Sequence, residues 1–237
     1  MLGPAGERLA CGITLVPFLE PGGAFGPAWA AHPFASRAMD VVHRMREPDL
    51  TRELAALMGP RAGHQGQRRA VAFLRLLTDL AGADAIAATL TDQTRPTVSP
   101  EHQVVPPRKR TPAERAARTA ATRIDLLFEW PCGSGGQRAI VVVEAKLGAT
   151  VADGQLRSYR EEAARRARGG PVALILLTAQ PDAAERRYRA WKPVRWFELL
   201  RRWESLLAQA GDDDPEFARV RAHLWRHILK TPSKATR

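Results

Sequence analysis

The stretch Ala139-Ile140-Val141-Val142-Val143-Glu144-Ala145-Lys146 decides the fold, because it joins an apolar run to two charged residues. Its first five residues are apolar and three of them are valine, which is typical of a buried strand. An unpaired charge is costly to bury, so such a strand needs a reason to end in charged residues. Since side chains alternate along a strand, Glu144 and Lys146 project from the same face.

A second strand-like run, Arg123–Trp130, precedes this stretch and contains Asp125. Between the two runs, residues 131–136 read Pro-Cys-Gly-Ser-Gly-Gly and are dense in turn-forming residues. The pattern therefore predicts an antiparallel hairpin. In that hairpin Asp125, near the start of one strand, lies beside Glu144, near the end of the other. Two carboxylates and the ammonium group of Lys146 then converge at one place.

This combination of charges has a known chemical use. Two carboxylates can hold Mg²⁺, which keeps several waters and takes phosphate oxygens at its remaining positions. The ion acidifies a bound water and stabilises charge on a phosphoryl group. A neighbouring lysine can orient the attacking water or balance the developing charge. These are the requirements of phosphodiester hydrolysis. The alternative is that Glu-x-Lys occurs by chance and forms a surface ion pair of little value.

A helix and a further strand are predicted after the charged residues. Residues 154–168 have a helical pattern that ends at a Gly-Gly pair, and Gln155 and Tyr159 share one face of this helix. The unbroken apolar run Val172–Thr178 indicates a central strand. A strand, helix and strand in this order predict a right-handed parallel crossover, so the sheet is expected to be mixed.

Taken together, these residues resemble the PD-(D/E)XK nuclease superfamily. Its signature is an acidic residue that opens one strand, followed by (D/E)-x-K on the next, and the matching residues are Asp125 and Glu144-Ala145-Lys146. Many members continue with a helix that carries Gln and, four residues later, Tyr, as Gln155 and Tyr159 do here. The proline of the family name is absent, because Ile124 precedes Asp125.

The resemblance implies an α/β, restriction-endonuclease-like fold: a mixed β-sheet core flanked by helices, with an N-terminal helical subdomain. It also implies a Mg²⁺-dependent deoxyribonuclease that leaves 5′-phosphate and 3′-hydroxyl ends, with Mn²⁺ as an acceptable substitute. Asp125, Glu144 and the carbonyl of Ala145 would hold the metal. Lys146 would position the attacking water, with Gln155 in support. A role in phage defence or DNA processing in a bacterium rests on family analogy alone.

The N-terminal third is predicted to be an irregular arm followed by helices. Three helices are expected, one from Ala35 and two near residues 47–58 and 65–80, and a strand is expected at Ala85–Thr91. We assign residues 1–82 to the arm and helices, and residues 83–237 to the nuclease-like core with its C-terminal helices. In several superfamily members a glutamate of an N-terminal helix reaches the metal. Glu47 is the candidate here and Glu53 the reserve; the alternative is an acid that interacts with the helix dipole.

Charge favours a polyanionic partner. The chain of 237 residues has 36 basic and 25 acidic side chains and a formal net charge of +11. Basic side chains gain affinity for nucleic acid by releasing counterions from phosphates. The basic loop with Arg108, Lys109 and Arg110, together with Arg123, Arg157 and Tyr159, is predicted to contact DNA, and RNA is not excluded. The alternative for the loop is a solvated linker.

The C-terminal part is expected to be helical, with a short edge strand at Val194. The run Asp212-Asp213-Asp214-Pro215 resembles a metal site, but cap and dipole interactions at a helix start explain it better. The tryptophans of this part are predicted to lie in the core or at an interface: Trp191, Trp196, Trp203 and Trp225.

Cysteine content and hydropathy predict a cytoplasmic protein. The two cysteines, Cys11 and Cys132, are too few for a disulfide framework or a zinc cluster. The apolar stretch Leu9–Leu19 is too short to span a bilayer and Pro17 interrupts it, so no signal peptide or membrane contact is expected. A homodimer or a partner protein stays open. The functional alternative to a nuclease is a catalytically dispensable nucleic-acid-binding or protein-interaction module of the same fold.

Overall fold

A five-stranded mixed sheet lies at the centre of the part of the chain that the computed structural model describes, which is residues 47–104, 123–147, 155–181 and 183–230. The strands are β1 (Thr97–Gln103), β2 (Arg123–Pro131), β3 (Arg138–Lys146), β4 (Val172–Thr178) and β5 (Lys192–Arg195). They lie side by side in the order of the sequence. The pairs β1–β2 and β2–β3 are antiparallel, whereas the pairs β3–β4 and β4–β5 are parallel.

Helices connect and flank these strands. They are α1 (Glu47–Met58), α2 (Gly63–Ala81), α3 (Asp84–Ala87), α4 (Gln155–Ala167), α5 (Ala183–Arg187), α6 (Trp196–Gln209) and α7 (Pro215–Lys230), with a 3₁₀ turn at Pro60–Ala62. Helix α4 follows β3 and precedes β4, as the crossover prediction requires. The predicted hairpin, the predicted parallel pairing of β3 with β4 and the mixed sheet are all confirmed.

One face of the sheet packs against α4. The cluster that forms there joins Val142 of β3 and Leu176 of β4 to Leu156, Tyr159 and Ala163 of the helix, and all of these side chains are buried. The three helical residues are three and four positions apart, so they share the face that meets the sheet. This packing fixes the position of Gln155, the first residue of α4, near the end of β3.

The opposite face of the sheet is covered by a group of aromatic side chains. Phe128 of β2 stacks on Phe73 of α2 with ring centroids 5.7 Å apart, and Phe73 meets Trp203 of α6 edge to face at 4.9 Å. Trp203 in turn meets Phe217 of α7 with ring centroids 4.9 Å apart. Aromatic contacts therefore tie the N-terminal and C-terminal helices to the same side of the sheet.

The four tryptophans predicted to lie in the core or at an interface, at 191, 196, 203 and 225, are all buried.

A buried ion-pair group holds the start of α7 against α2. The Arg69 guanidinium, 1% exposed, contacts Asp212 at 2.6 Å and Asp214 at 3.0 Å. Asp214 also accepts hydrogen bonds from the backbone N–H groups of Glu216 and Phe217. The prediction of a helix cap at this acidic run is thus confirmed for Asp214. The partnership of Asp212 with Arg69 was not expected.

One predicted strand is not a strand in the structure. Residues predicted as a strand at Ala85–Thr91 form the short helix α3 and the turn after it. Three of the seven residues of that segment are alanines, which favour helix over strand. The first strand of the sheet is instead β1, which contains Pro100 and several polar residues. Pro is tolerated there because β1 is an edge strand of the described sheet.

Some predicted features lie outside the described residues. These include the N-terminal arm, the helix predicted from Ala35, and the basic loop with Arg108, Lys109 and Arg110. No helix in the described ranges combines the length and the apolar character that a membrane crossing requires.

Candidate active site

The end of the β2–β3 hairpin brings together the three residues that the sequence singled out. Asp125 is the third residue of β2, Glu144 is the third residue from the end of β3, and Lys146 is its last residue. The Nζ atom of Lys146 lies 2.7 Å from Oε1 of Glu144 and 3.9 Å from Oδ2 of Asp125. Two acidic groups and one ammonium group therefore share a small volume at the open end of the hairpin, in the interior of the sheet.

The backbone explains why Asp125 faces this volume. Residue pairing between β2 and β3 begins at Leu126 and Val143 and runs toward the turn. Beyond that pair, the backbone N–H of Ala145 donates a hydrogen bond to Oδ2 of Asp125 at 2.8 Å. The side chain of Asp125 thus takes the place of a backbone acceptor where the two strands separate. The contact fixes the Asp125 carboxylate beside the residues on both sides of Ala145.

Glu144 is a fully buried acid, and one of its two carboxylate oxygens has no hydrogen-bond partner within the described residues. Its side chain is 0% exposed, and Oε1 accepts hydrogen bonds from Lys146 and, at 3.0 Å, from Nε2 of Gln155. Its second oxygen, Oε2, has no hydrogen-bond partner in the described part of the chain. Burial, and then the Asp125 carboxylate, raise the pKa of Glu144 above its usual range, while Lys146 acts in the opposite direction. A cation beside Oε2 would relieve both unfavourable effects.

A chain of hydrogen bonds positions Gln155. The Nε2 group of Gln155 also donates to the hydroxyl of Tyr159, and this hydroxyl donates to the backbone carbonyl of Arg123. Burial, together with the nearby Glu144 carboxylate, raises the pKa of Tyr159, so the hydroxyl keeps its proton. Tyr159 is fully buried. The structure therefore places it where it ties α4 to β2, rather than on the surface where a substrate would lie.

Helix α4 is held to the sheet at its other end as well. Arg166 donates to both oxygens of Glu129 on β2, at distances between 2.9 and 3.1 Å. The pair is partly buried, which makes it stronger than an exposed pair. Contacts at both ends of α4 keep Gln155 at a fixed distance from Glu144.

A fourth charged residue of this region, Glu101, was missed by the sequence analysis. Pro100 pairs with Leu126 and His102 pairs with Ile124, which sets Glu101 of β1 opposite Asp125. Its side chain is 14% exposed. No signal in the sequence could have found it, because its strand is polar, contains a proline and was not predicted. Its position follows only from the pairing of β1 with β2.

The donor set suits a divalent cation of the Mg²⁺ type. Within the described ranges there is no group of three or more His, Cys, Asp or Glu residues close enough to hold a metal ion. Mg²⁺ needs no such group, because it keeps several waters and binds through one or two carboxylates. Asp125 and Glu144 provide those carboxylates, and Oε2 of Glu144 is the oxygen that lacks a partner. The residues present therefore fit the ion.

Four further predicted residues lie in α1, β2 and α4 of the described structure. Arg157 is exposed on α4, and Arg123 has a 58% exposed side chain at the start of β2. The structure describes Glu47 only as the first residue of α1 and not its side chain. The reserve candidate Glu53 lies 3.5 Å from Arg219 of α7. A metal contact of Glu47 thus stays a prediction.

The comparison with protein families agrees with the site. A family model of the PD-(D/E)XK nuclease superfamily matches residues 52–229, which is about three quarters of the chain. A search of curated proteins and a search of solved structures each gave no significant match. The five-stranded mixed sheet with flanking helices is consistent with the restriction-endonuclease-like fold that the resemblance predicted. Fold, site and family match lead to one conclusion: the chain belongs to the PD-(D/E)XK nuclease superfamily.

Proposed function

We propose that this protein is a Mg²⁺-dependent nuclease that hydrolyses phosphodiester bonds in DNA. One observation carries the proposal: a buried glutamate, Glu144, has a lysine on one oxygen and no partner on the other within the described residues. A second carboxylate, Asp125, lies within 3.9 Å of the same lysine. A structural ion pair would need neither the second acid nor the open oxygen. Superfamily membership supports nuclease activity.

The residues of the site have separate roles in this proposal. Asp125, Glu144 and the carbonyl of Ala145 would hold the cation, which when bound supplies charge stabilisation and an acidified water. Lys146 donates a hydrogen bond to the attacking water or to a phosphate oxygen, and its charge balances the charge that develops there. Gln155 holds Oε1 of Glu144 in place. Tyr159 fixes Gln155 through its hydroxyl.

DNA is the proposed substrate, and the charge of the protein supports a polyanion. The formal net charge is +11, and the exposed Arg123 and Arg157 lie on the two elements that also carry Asp125 and Gln155. Phosphate contacts of this kind position a nucleic acid without reading its sequence. The preference for DNA over RNA, the 5′-phosphate product, and a role in phage defence or DNA processing follow from family analogy.

A cleavage assay with matched substrates tests the proposal. Plasmid DNA, linear DNA and RNA of equal length are incubated with the protein in Mg²⁺, Mn²⁺ or EDTA. We expect DNA cleavage in Mg²⁺ and Mn²⁺ and none in EDTA. The products should be joined by a ligase without prior phosphorylation, which shows 5′-phosphate and 3′-hydroxyl ends. Cleavage that persists in EDTA would overturn the proposal. No cleavage in any metal, with DNA binding that falls steeply with salt, would instead favour a binding module of the same fold.

A further inference from the structure

Glu101 occupies an unusual backbone position directly opposite Asp125. Its φ angle is +50°, and in the described ranges only one other non-glycine residue, Arg168, has a positive φ. A glutamate gains nothing from the left-handed region, where a side chain is strained. Strained residues of this kind persist where the surrounding structure holds them, and they concentrate at functional sites. The strain at Glu101 lies one strand away from the metal-binding carboxylate that we assign.

The carboxylate of Glu101 is less well paired than the structural carboxylates of the same protein. Within the described residues its polar side-chain contacts are long: 3.4 Å to Nη1 of Arg123 and 3.5 Å to the hydroxyl of Thr51. Asp212, by comparison, receives Arg69 at 2.6 Å, and Glu162 receives Arg165 at 2.7 Å. Glu101 is nevertheless mostly buried, with 14% of its side chain exposed. It therefore keeps capacity for a further positive partner.

Three acidic side chains meet in this region. The pairs on either side place Glu101 and Asp125 at opposing positions of the β1–β2 register, where like charges are unfavourable. Glu144 adds a third acid, whose oxygen Oε2 is buried without a hydrogen-bond partner in the described part of the chain. Lys146 is the one basic side chain with a contact to both Asp125 and Glu144 among the described ion pairs. With Arg123 beside Glu101, the described ion pairs set two basic side chains against the three acids, and a divalent cation would add positive charge there.

We propose that Glu101 is a third acidic residue of the active site, a positioning residue whose negative charge raises the affinity of Asp125 and Glu144 for a divalent cation. It would act behind the two carboxylate ligands and not as a third ligand, since the described residues include no group of three His, Cys, Asp or Glu side chains that could hold an ion. Mg²⁺ needs only one or two carboxylates, because it keeps several waters. The inference rests on the proposed metal site, because without a cation the charge of Glu101 has no such role. It goes beyond the signature residues, none of which lies on β1.

Binding of Mn²⁺ to the full chain in the absence of DNA tests this role, with isothermal titration calorimetry as the measurement. Glu101→Gln keeps the shape and the contact with Thr51 but removes the charge. We expect its dissociation constant for Mn²⁺ to rise about tenfold, the lower end of the effect of residues that act behind metal ligands. The matched control is Glu198→Gln, which removes one charge from an exposed pair with Arg202 on α6. It should bind Mn²⁺ as the wild type does.

Thermal melting without metal shows whether Glu101 acts on metal affinity through its charge or on the stability of the fold. A merely structural Glu101 would make Glu101→Gln melt lower and leave its Mn²⁺ affinity unchanged, and that result would overturn the inference. If Glu101→Gln does not fold, Glu101→Asp and Glu101→Asn carry the same test, because they differ in charge alone and both suit a positive φ. Equal affinity of that pair would also overturn it. If the wild type does not bind Mn²⁺, the proposed metal site itself is wrong. If Asp125→Asn loses Mn²⁺ binding but Glu101→Gln keeps the wild-type affinity, only the role of Glu101 is wrong.

Discussion

The ammonium group of Lys146 lies 2.7 Å from Oε1 of Glu144, and the Glu144 side chain has no exposed surface. An ion pair in such a place loses hydration on both sides, so it rarely contributes net stability. A second carboxylate, that of Asp125, lies 3.9 Å from the same ammonium group. A pair that stabilises little and sits beside a second acid is better explained by chemistry than by folding.

Replacement of Lys146 by Met should slow cleavage strongly while the protein still folds. Met keeps most of the length and apolar volume of the side chain but cannot donate a hydrogen bond to water or phosphate. We expect the turnover rate to fall about 10²–10³-fold, the usual loss when one stabilising donor is removed. Single-turnover cleavage of plasmid DNA measures the rate, and circular dichroism checks the fold. Lys192→Met is the control, because Lys192 is an exposed lysine on β5. A Lys146→Met protein that cuts at the wild-type rate would contradict the assigned role.

Tyr159→Phe should lower stability and, to a smaller extent, activity. The change keeps the ring within the α4 cluster but removes the hydroxyl that donates to the carbonyl of Arg123. A buried acceptor left without a partner costs about 1–3 kcal/mol of the free energy of unfolding. Urea denaturation measures this loss. Tyr188→Phe, at the other tyrosine of the chain, changes a partly exposed side chain and serves as the control. Equal stability of the two variants would contradict the positioning role of Tyr159.

Acid should weaken the contact between α2 and the start of α7. Burial alone would raise the pKa of Asp212, but the hydrogen bond and charge of Arg69 bring it below its usual value; the pKa of Asp214 is lowered in the same way. A carboxyl group with a lowered pKa binds fewer protons in the folded state than in the unfolded chain, so stability rises with pH. The contribution is complete above the unfolded pKa of about 3.9 and is lost as pH falls through the folded value.

Asp212→Asn tests this contact. At pH 7 we expect a loss of about 3 kcal/mol in the free energy of unfolding, because Arg69 is left buried with only Asp214 as a charged partner. The difference from the wild type should shrink as pH falls below 4, which urea denaturation at several pH values will show. Asp92→Asn breaks the exposed Arg75–Asp92 pair and should change little at any pH. A gap that stays constant with pH would contradict the ion-pair explanation.

Arg157→Ala should weaken nucleic-acid binding in a salt-dependent way. Arg157 is exposed on α4, two residues after Gln155. Loss of one phosphate contact reduces the slope of log affinity against log salt by about one unit. Fluorescence anisotropy with a DNA duplex, measured over a range of salt concentrations, gives the slope. Arg75→Ala removes the same charge from an exposed position on α2 and should leave the slope unchanged. Identical slopes for the two variants would place the substrate elsewhere.

Much of the centre of the fold was predictable from local patterns. The apolar run before Glu144, the turn residues after Trp130 and the apolar strand Val172–Thr178 each identified their element, and chain order then predicted the pairing. The convergence of Asp125, Glu144 and Lys146 follows from that pairing alone. Strong, local and mutually consistent signals explain this success.

The rest depended on contacts between segments that are distant in sequence. Strand β1 has a polar composition, so its pairing with β2 is decided by the sheet and not by its own residues. Glu101 enters the site only through that pairing. The partnership of Arg69 with Asp212 joins residues more than a hundred positions apart, and no periodicity in the sequence reports it. The short apolar stretch at residues 85–91 was predicted as a strand, because periodicity does not separate strand from helix in so short a run.

The most direct test of the central claim compares the wild type with Glu144→Gln in a plasmid cleavage assay at saturating Mg²⁺. Gln fills the same buried volume and still accepts a hydrogen bond from Lys146, but it lacks the charge needed to hold the cation. We predict rapid cleavage by the wild type and none above background by Glu144→Gln, with both proteins equally folded. Equal cleavage by the two would contradict the proposed metal site.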